Sequence, residues 1–131
     1  MKKIIFSLLI VCVVFVGCYY DKSDMVNPNL ALLGCDTTNV TYSSTIASIL
    51  SNSNCLNCHG GSASSGDKLN LDNYATVKAS ALKGELLPAV RQDVSCAVCA
   101  ANYKPMPTSG SKLSDCEVNK IAAWIHQGCK N

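Results

Sequence analysis

The apolar positions of the chain form one continuous run and then three stripes of helical period. The run, Ile4 to Val16, is broken only by Ser7 and Cys12 and follows Lys2 and Lys3. It is too short and too close to the start to predict a spanning helix, and its charged front predicts an export signal. The first stripe is Ile46, Ile49 and Leu50, and it predicts a helix from about Tyr42 to Ser51 with Thr41 as its N-cap. The second is Tyr74, Val77, Ala81 and Leu82, with Asp72 as the expected N-cap and Gly84 as the stop. In the third, Val118, Ile121, Ala122 and Ile125 make the apolar face. Ser114 and Glu117 are spaced as a capping box, Leu113 and Val118 as its hydrophobic staple, and Gly128 ends the helix. Gly, Ser, Asn and Pro fill the intervals, and no strand-like alternation interrupts the stripes. The pattern predicts an all-α, loop-rich unit with about three main helices.

The same pattern divides the chain. Residues 1–17 read as a signal segment, 18–34 as a tether and 35–131 as the folded domain. The tether is polar from Tyr19 to Asp24, carries a turn signal at Asn27-Pro28-Asn29, and ends in a short apolar patch, Leu30 to Leu33. Charge changes with processing. Removal of Lys2 and Lys3 lowers Lys plus Arg from 11 to 9, which equals the 9 Asp plus Glu. The mature side chains are then formally neutral, no basic patch stands out, and nucleic-acid binding is not expected. A domain of fewer than about a hundred residues buries a marginal core by itself.

One motif suggests what completes that core. Cys55-Leu56-Asn57-Cys58-His59 has the Cys-x-x-Cys-His spacing of a c-type haem attachment site. The two thiols, spaced on one turn of chain, would form thioether bonds to the porphyrin. The adjoining imidazole of His59 would ligate one axial position of the iron. An export signal agrees with this, since such haems are attached outside the cytoplasm. The buried porphyrin would also supply apolar surface that a small domain lacks. Two other readings compete. The pair Cys55 and Cys58 can close a disulfide, or it can join Cys96 and Cys99 in a four-cysteine zinc site.

A second axial ligand has few candidates. His126 is the other histidine, Met1 leaves with the signal, and Met25 lies in the tether. Met106 follows His59 by 47 residues and stands between Pro105 and Pro107, which stiffen its backbone. A neutral thioether on such a loop suits the opposite haem face. His126, near the end of the last helix, is the alternative, with solvation or favourable placement in the helix dipole as its simpler role.

Two resemblances extend this picture. Phe15-Val16-Gly17-Cys18 resembles the lipobox of bacterial lipoproteins, which implies that Cys18 is acylated and anchors the mature protein in a membrane. From about Thr41 to Gly128 the chain looks like a small class I cytochrome c, similar to the short lipid-anchored monohaem cytochromes c of bacteria. The carriers of that likeness are Cys55 to Gly60, Pro105-Met106-Pro107 and a C-terminal helix with Trp124. The resemblance implies a cytochrome c-like fold whose first and last helices cross beside the haem, with Trp124 packed at the crossing. Under that geometry Cys35 and Cys116 are neighbours and pair in a disulfide. The implied ligands are Cys55 and Cys58 for the porphyrin, and His59 and Met106 for the iron.

Cys96-Ala97-Val98-Cys99 lacks the following histidine, so it is no second attachment site of the standard kind. It is open to three readings: a local disulfide, a redox-active pair, or a bridge from Cys99 to Cys129. The function expected is that of an electron carrier, not an enzyme, with one covalent haem c. It would sit in the bacterial envelope, lipid-anchored and outside the cytoplasm, and dock transiently with redox partners at the haem edge. The alternatives are a haem peroxidase or gas sensor with a labile Met106 position, and a haem-free lipoprotein held by zinc or disulfides.

Overall fold

Thr41 is extended and its side-chain oxygen accepts from the Ser44 N–H, so the first helix starts where its cap requires. In the computed structural model, which describes residues 34–96, 104–108 and 111–131, that helix opens as a π turn, Tyr42–Ile46, and continues as Ala47–Asn52. Together these form α1. The later helices are α2, Leu56–His59; α3, Tyr74–Leu82; α4, Leu86–Arg91; and α5, Asp115–His126. The described residues thus form a small all-α, loop-rich unit of five short helices, with no strand among them. The signal segment, Cys18, the tether through Leu33, and Cys99 lie outside the described residues.

Helix α5 is the longest and is built as its sequence requires. The Ser114 side chain accepts from Glu117 N–H, and the Glu117 carboxylate accepts from Ser114 N–H at 2.8 Å, completing the capping box. Gly128, with φ of +87°, turns the chain back at the other end. Val118, Ile121, Ala122, Ala123 and Trp124 are buried. Of these, Val118, Ile121, Ala123 and Trp124 join Ile46, Ile49 and Leu50 of α1, Val77 and Ala81 of α3, and Leu86 and Val90 of α4 in one core.

Helix α1 meets α5 chiefly through its opening turn, Tyr42–Ile46. At one end Tyr42 donates its N–H to the Lys130 carbonyl at 2.9 Å, and its ring lies 6.4 Å from that of Trp124. Trp124 is fully buried and donates its indole N–H to the same Lys130 carbonyl at 2.7 Å. At the other end Cys55, just after α1, feels the carboxylate of Glu117 on the first turn of α5. The segment from Cys35 runs along α5 as a strap. It is fixed at the start of the helix by the Cys35–Cys116 disulfide, with Cα atoms 5.6 Å apart. It is fixed at the far end by a hydrogen bond from the Gln127 amide to the Thr37 carbonyl at 2.9 Å. The expected pairing of Cys35 with Cys116 is therefore present, and Trp124 of α5 packs near Tyr42 of α1.

Three expectations need correction. The N-cap of α3 is Asn73, whose side-chain oxygen accepts from Thr76 N–H at 3.1 Å. Asp72 stands one residue too early, and its carboxylate is taken by Gly61 N–H. Leu82 is 67% exposed rather than on the buried side of α3. It is the last residue of the helix, one residue of rotation beyond Ala81. Helix α4 adds to the three stripes, and the sequence hides it because Pro88 lies inside it. Pro88 is the third residue of α4, where a backbone N–H has no partner within the helix, so the ring costs no hydrogen bond.

Candidate haem-attachment site

After α1 the chain turns through Asn54, whose φ is +57°, and enters α2. The turn is tightly bonded. Cys55 N–H donates to the Leu50 carbonyl at 3.1 Å, and His59 N–H donates to the Cys55 carbonyl at 2.9 Å. One helical turn thus carries Cys55, Cys58 and His59. Cys55 is half-buried, its neighbours Leu56 and Leu69 pack on the core, and Cys58 is exposed. Both sulfurs are free thiols, so this pair forms no disulfide. Burial pushes the Cys55 thiol above its ordinary pKa, and the Glu117 carboxylate adds to the rise, which keeps the sulfur protonated.

His59 is buried, with 8% of its surface exposed. The loop that follows it folds back over the ring. Nδ1 of His59 lies 2.9 Å from the Leu69 carbonyl oxygen, so this nitrogen carries the proton and donates it. That tautomer leaves the lone pair on Nε2. The Leu71 N–H donates to the His59 carbonyl at 2.7 Å, which fixes the residue from its backbone side. Gly66 lies directly against the imidazole. A Cβ at this position would collide with Nδ1 and would stand 2.9 Å from Cε1. Only glycine allows the loop to approach the ring this closely.

Cys55 and Cys58, free and one turn apart, fit a porphyrin that takes two thioether bonds. His59 fits the proximal side, because a metal-ligating histidine generally donates its other ring N–H to a carbonyl or carboxylate. Met106 is described and half-buried. Its N–H donates to the Ala89 carbonyl in α4 at 2.9 Å, and its bond to Pro107 is cis. No hydrogen bond among the described residues joins it to the Cys55–His59 turn. His126 is exposed at the end of α5.

Cys96 is disulfide-bonded, so it offers no thiolate to a shared zinc site. Cys129 is a free, fully buried thiol, which removes the bridge between Cys99 and Cys129. The sequence pattern does not single out the backbone carbonyl of Leu69, the glycine at 66 or Asn70, and it offers Asp72 only as a helix cap. Their signal in the sequence is the glycine-rich stretch from Gly60 to Gly66, followed by two polar residues that bracket Leu71. Among the described residues no helix is long and apolar enough to cross a membrane. The chain matches no protein-family model, no curated protein and no solved structure.

Proposed function

We propose that the chain is a monohaem cytochrome c that carries single electrons outside the cytoplasm, tethered to a membrane through a lipid on Cys18. The observation that carries this reading is the state of Cys55, Cys58 and His59. Two free thiols and one imidazole share a single turn, and the imidazole has its Nδ1 proton committed and its Nε2 lone pair uncommitted. A disulfide that used the same cysteines would have no need of that tautomer.

In this reading Cys55 and Cys58 would hold the porphyrin through thioether bonds, and His59, through Nε2, and Met106, through its sulfur, would be the protein ligands of the iron. A bound haem contributes a one-electron couple, which no side chain of the protein supplies. The protein holds the ligand set. The Leu69 carbonyl orients His59 and raises its basicity, Gly66 lets the loop close over the ring, and the α1–α5 pair with its disulfide fixes the frame. Partners dock briefly at the porphyrin edge, and a formally neutral mature chain steers them weakly. The resemblance to short lipid-anchored cytochromes c supports the same assignment.

One observation favours a second reading. Met106 is half-buried, and among the described residues its one hydrogen bond runs from its backbone N–H to the Ala89 carbonyl. A sulfur that leaves the iron readily would make the protein a peroxidase or gas sensor. The optical spectrum of the purified, reduced protein under carbon monoxide separates the two. An electron carrier keeps its six-coordinate spectrum at neutral pH. Rapid formation of the carbon monoxide adduct contradicts the carrier reading and establishes the open site.

A further inference from the structure

The loop after α2 is closed by side-chain hydrogen bonds that the function above leaves without a task. The Asn70 amide donates to the Gly61 carbonyl at 2.6 Å, and its oxygen accepts from Asp72 N–H at 2.9 Å. The Asp72 carboxylate accepts from Gly61 N–H at 2.9 Å. Both backbone polar groups of Gly61 are therefore held by side chains from the far end of the loop. These bonds lie near the surface, where water competes for each group and the net stability gained is small. Their position is more informative than their strength. Leu69, just before Asn70, presents its carbonyl to Nδ1 of His59. Leu71, between Asn70 and Asp72, donates its N–H to the His59 carbonyl.

We infer that Asn70 and Asp72 are positioning residues for His59: they clasp Gly61 and so hold the Leu69 carbonyl against Nδ1. The inference rests on the haem reading. A firmly held acceptor on Nδ1 raises the electron density at Nε2. A stronger Nε2 donor favours the oxidised iron and lowers the reduction potential. Loosening the clasp lengthens the Nδ1 contact and shifts the couple toward the reduced form. The clasp is a local device, because Gly61, Asn70 and Asp72 all lie in or next to one loop and touch no thiol.

The test uses the full holoprotein and four variants. Asn70→Ala and Asp72→Ala open the clasp. Asp72→Asn keeps an oxygen acceptor for the Gly61 N–H. Gln127→Ala removes the strap bond to Thr37 at the far end of α5 and serves as a control for general destabilisation. At a fixed solution potential, Asn70→Ala and Asp72→Ala shift the reduced-to-oxidised ratio upward by roughly threefold to tenfold, tenfold being about 59 mV for one electron. The His59 Nδ1–H proton resonance moves with them. Asp72→Asn stays near the unsubstituted protein, and Gln127→Ala lowers the melting temperature without moving the potential. If Asn70→Ala does not fold, Asn70→Ser replaces it, with a smaller shift in the same direction. The inference is overturned if the clasp variants lose melting temperature as Gln127→Ala does while the potential and the resonance stay put. If the unsubstituted chain binds no haem, the functional reading fails separately. The His59 Nδ1 resonance of the haem-free chain then decides the clasp, with a shift in Asn70→Ala and Asp72→Ala supporting it and unchanged signals overturning it.

Discussion

The two segments that would face the iron are built in opposite ways. On the His59 side, the residues from 55 to 72 are tied by many short-range bonds. The helical turn, the Leu69 and Leu71 contacts and the Gly61 clasp all close within one stretch of chain. On the Met106 side, among the described residues, one backbone hydrogen bond to Ala89 joins the residue to the frame, with prolines on either side. The imidazole is therefore oriented by the fold before any cofactor arrives. Under the haem reading, the Met106 sulfur would gain the iron as a further tie. That asymmetry predicts that loss of His59 and loss of Met106 have different consequences.

The largest effect separates the two sides directly. Under the haem reading, His59→Ala removes the proximal ligand and abolishes the low-spin holoprotein. Met106→Ala keeps the covalent haem but gives a high-spin spectrum and ready carbon monoxide binding. Optical spectra of the purified variants check this, and identical behaviour of the two variants breaks the comparison. Next, replacing Cys35 and Cys116 by serine removes a bridge between residues 81 apart. The cost is about 2–5 kcal/mol in urea unfolding. The bridge joins the strap to α5 and, among the described residues, makes no hydrogen bond to the Cys55–His59 turn, so under the haem reading the spectrum of the folded variant stays unchanged. Smaller again is Gly66→Ala, where the added methyl meets the His59 ring and the Cys58 carbonyl. It costs about 1–3 kcal/mol and perturbs only the His59 side.

The smallest effect concerns the haem-free chain. Burial raises the Cys55 and Cys129 thiols above their ordinary value of 9.0. A raised folded pKa favours the neutral thiol, so its contribution to stability is complete below that ordinary value. It is lost as pH rises through the higher folded values. Urea midpoints of the apoprotein fall above about pH 9, and serine at both positions removes that part of the fall.

What the sequence made legible was local. Thr41 and the Ser114–Glu117 box cap their helices because a cap and its N–H lie within three residues. That Cys55, Cys58 and His59 share one helical turn was legible because their spacing lies within five residues. The Cys35–Cys116 bridge followed from a helix arrangement implied by resemblance. What stayed hidden was decided at longer range. Asp72 and Asn73 are equally good caps in isolation, and the distant Gly61 N–H decides between them. The loop over His59 turns through Ala63, Asp67 and Lys68 with positive φ, positions where no glycine announces a turn. The Tyr42, Tyr74 and Trp124 rings meet only because α1, α3 and α5 share one core. Pro88 concealed α4, since a proline reads as a breaker unless its place in the first turn is known.

The central claim is that Cys55, Cys58 and His59 form a haem-attachment turn. It is tested most directly by the intact mass of the exported protein after acid–acetone extraction. The account predicts an increment of one haem that survives extraction and disappears in the Cys55→Ala, Cys58→Ala double variant. A mass equal to that of the polypeptide alone, from cells that attach c-type haem to a control protein, would contradict it.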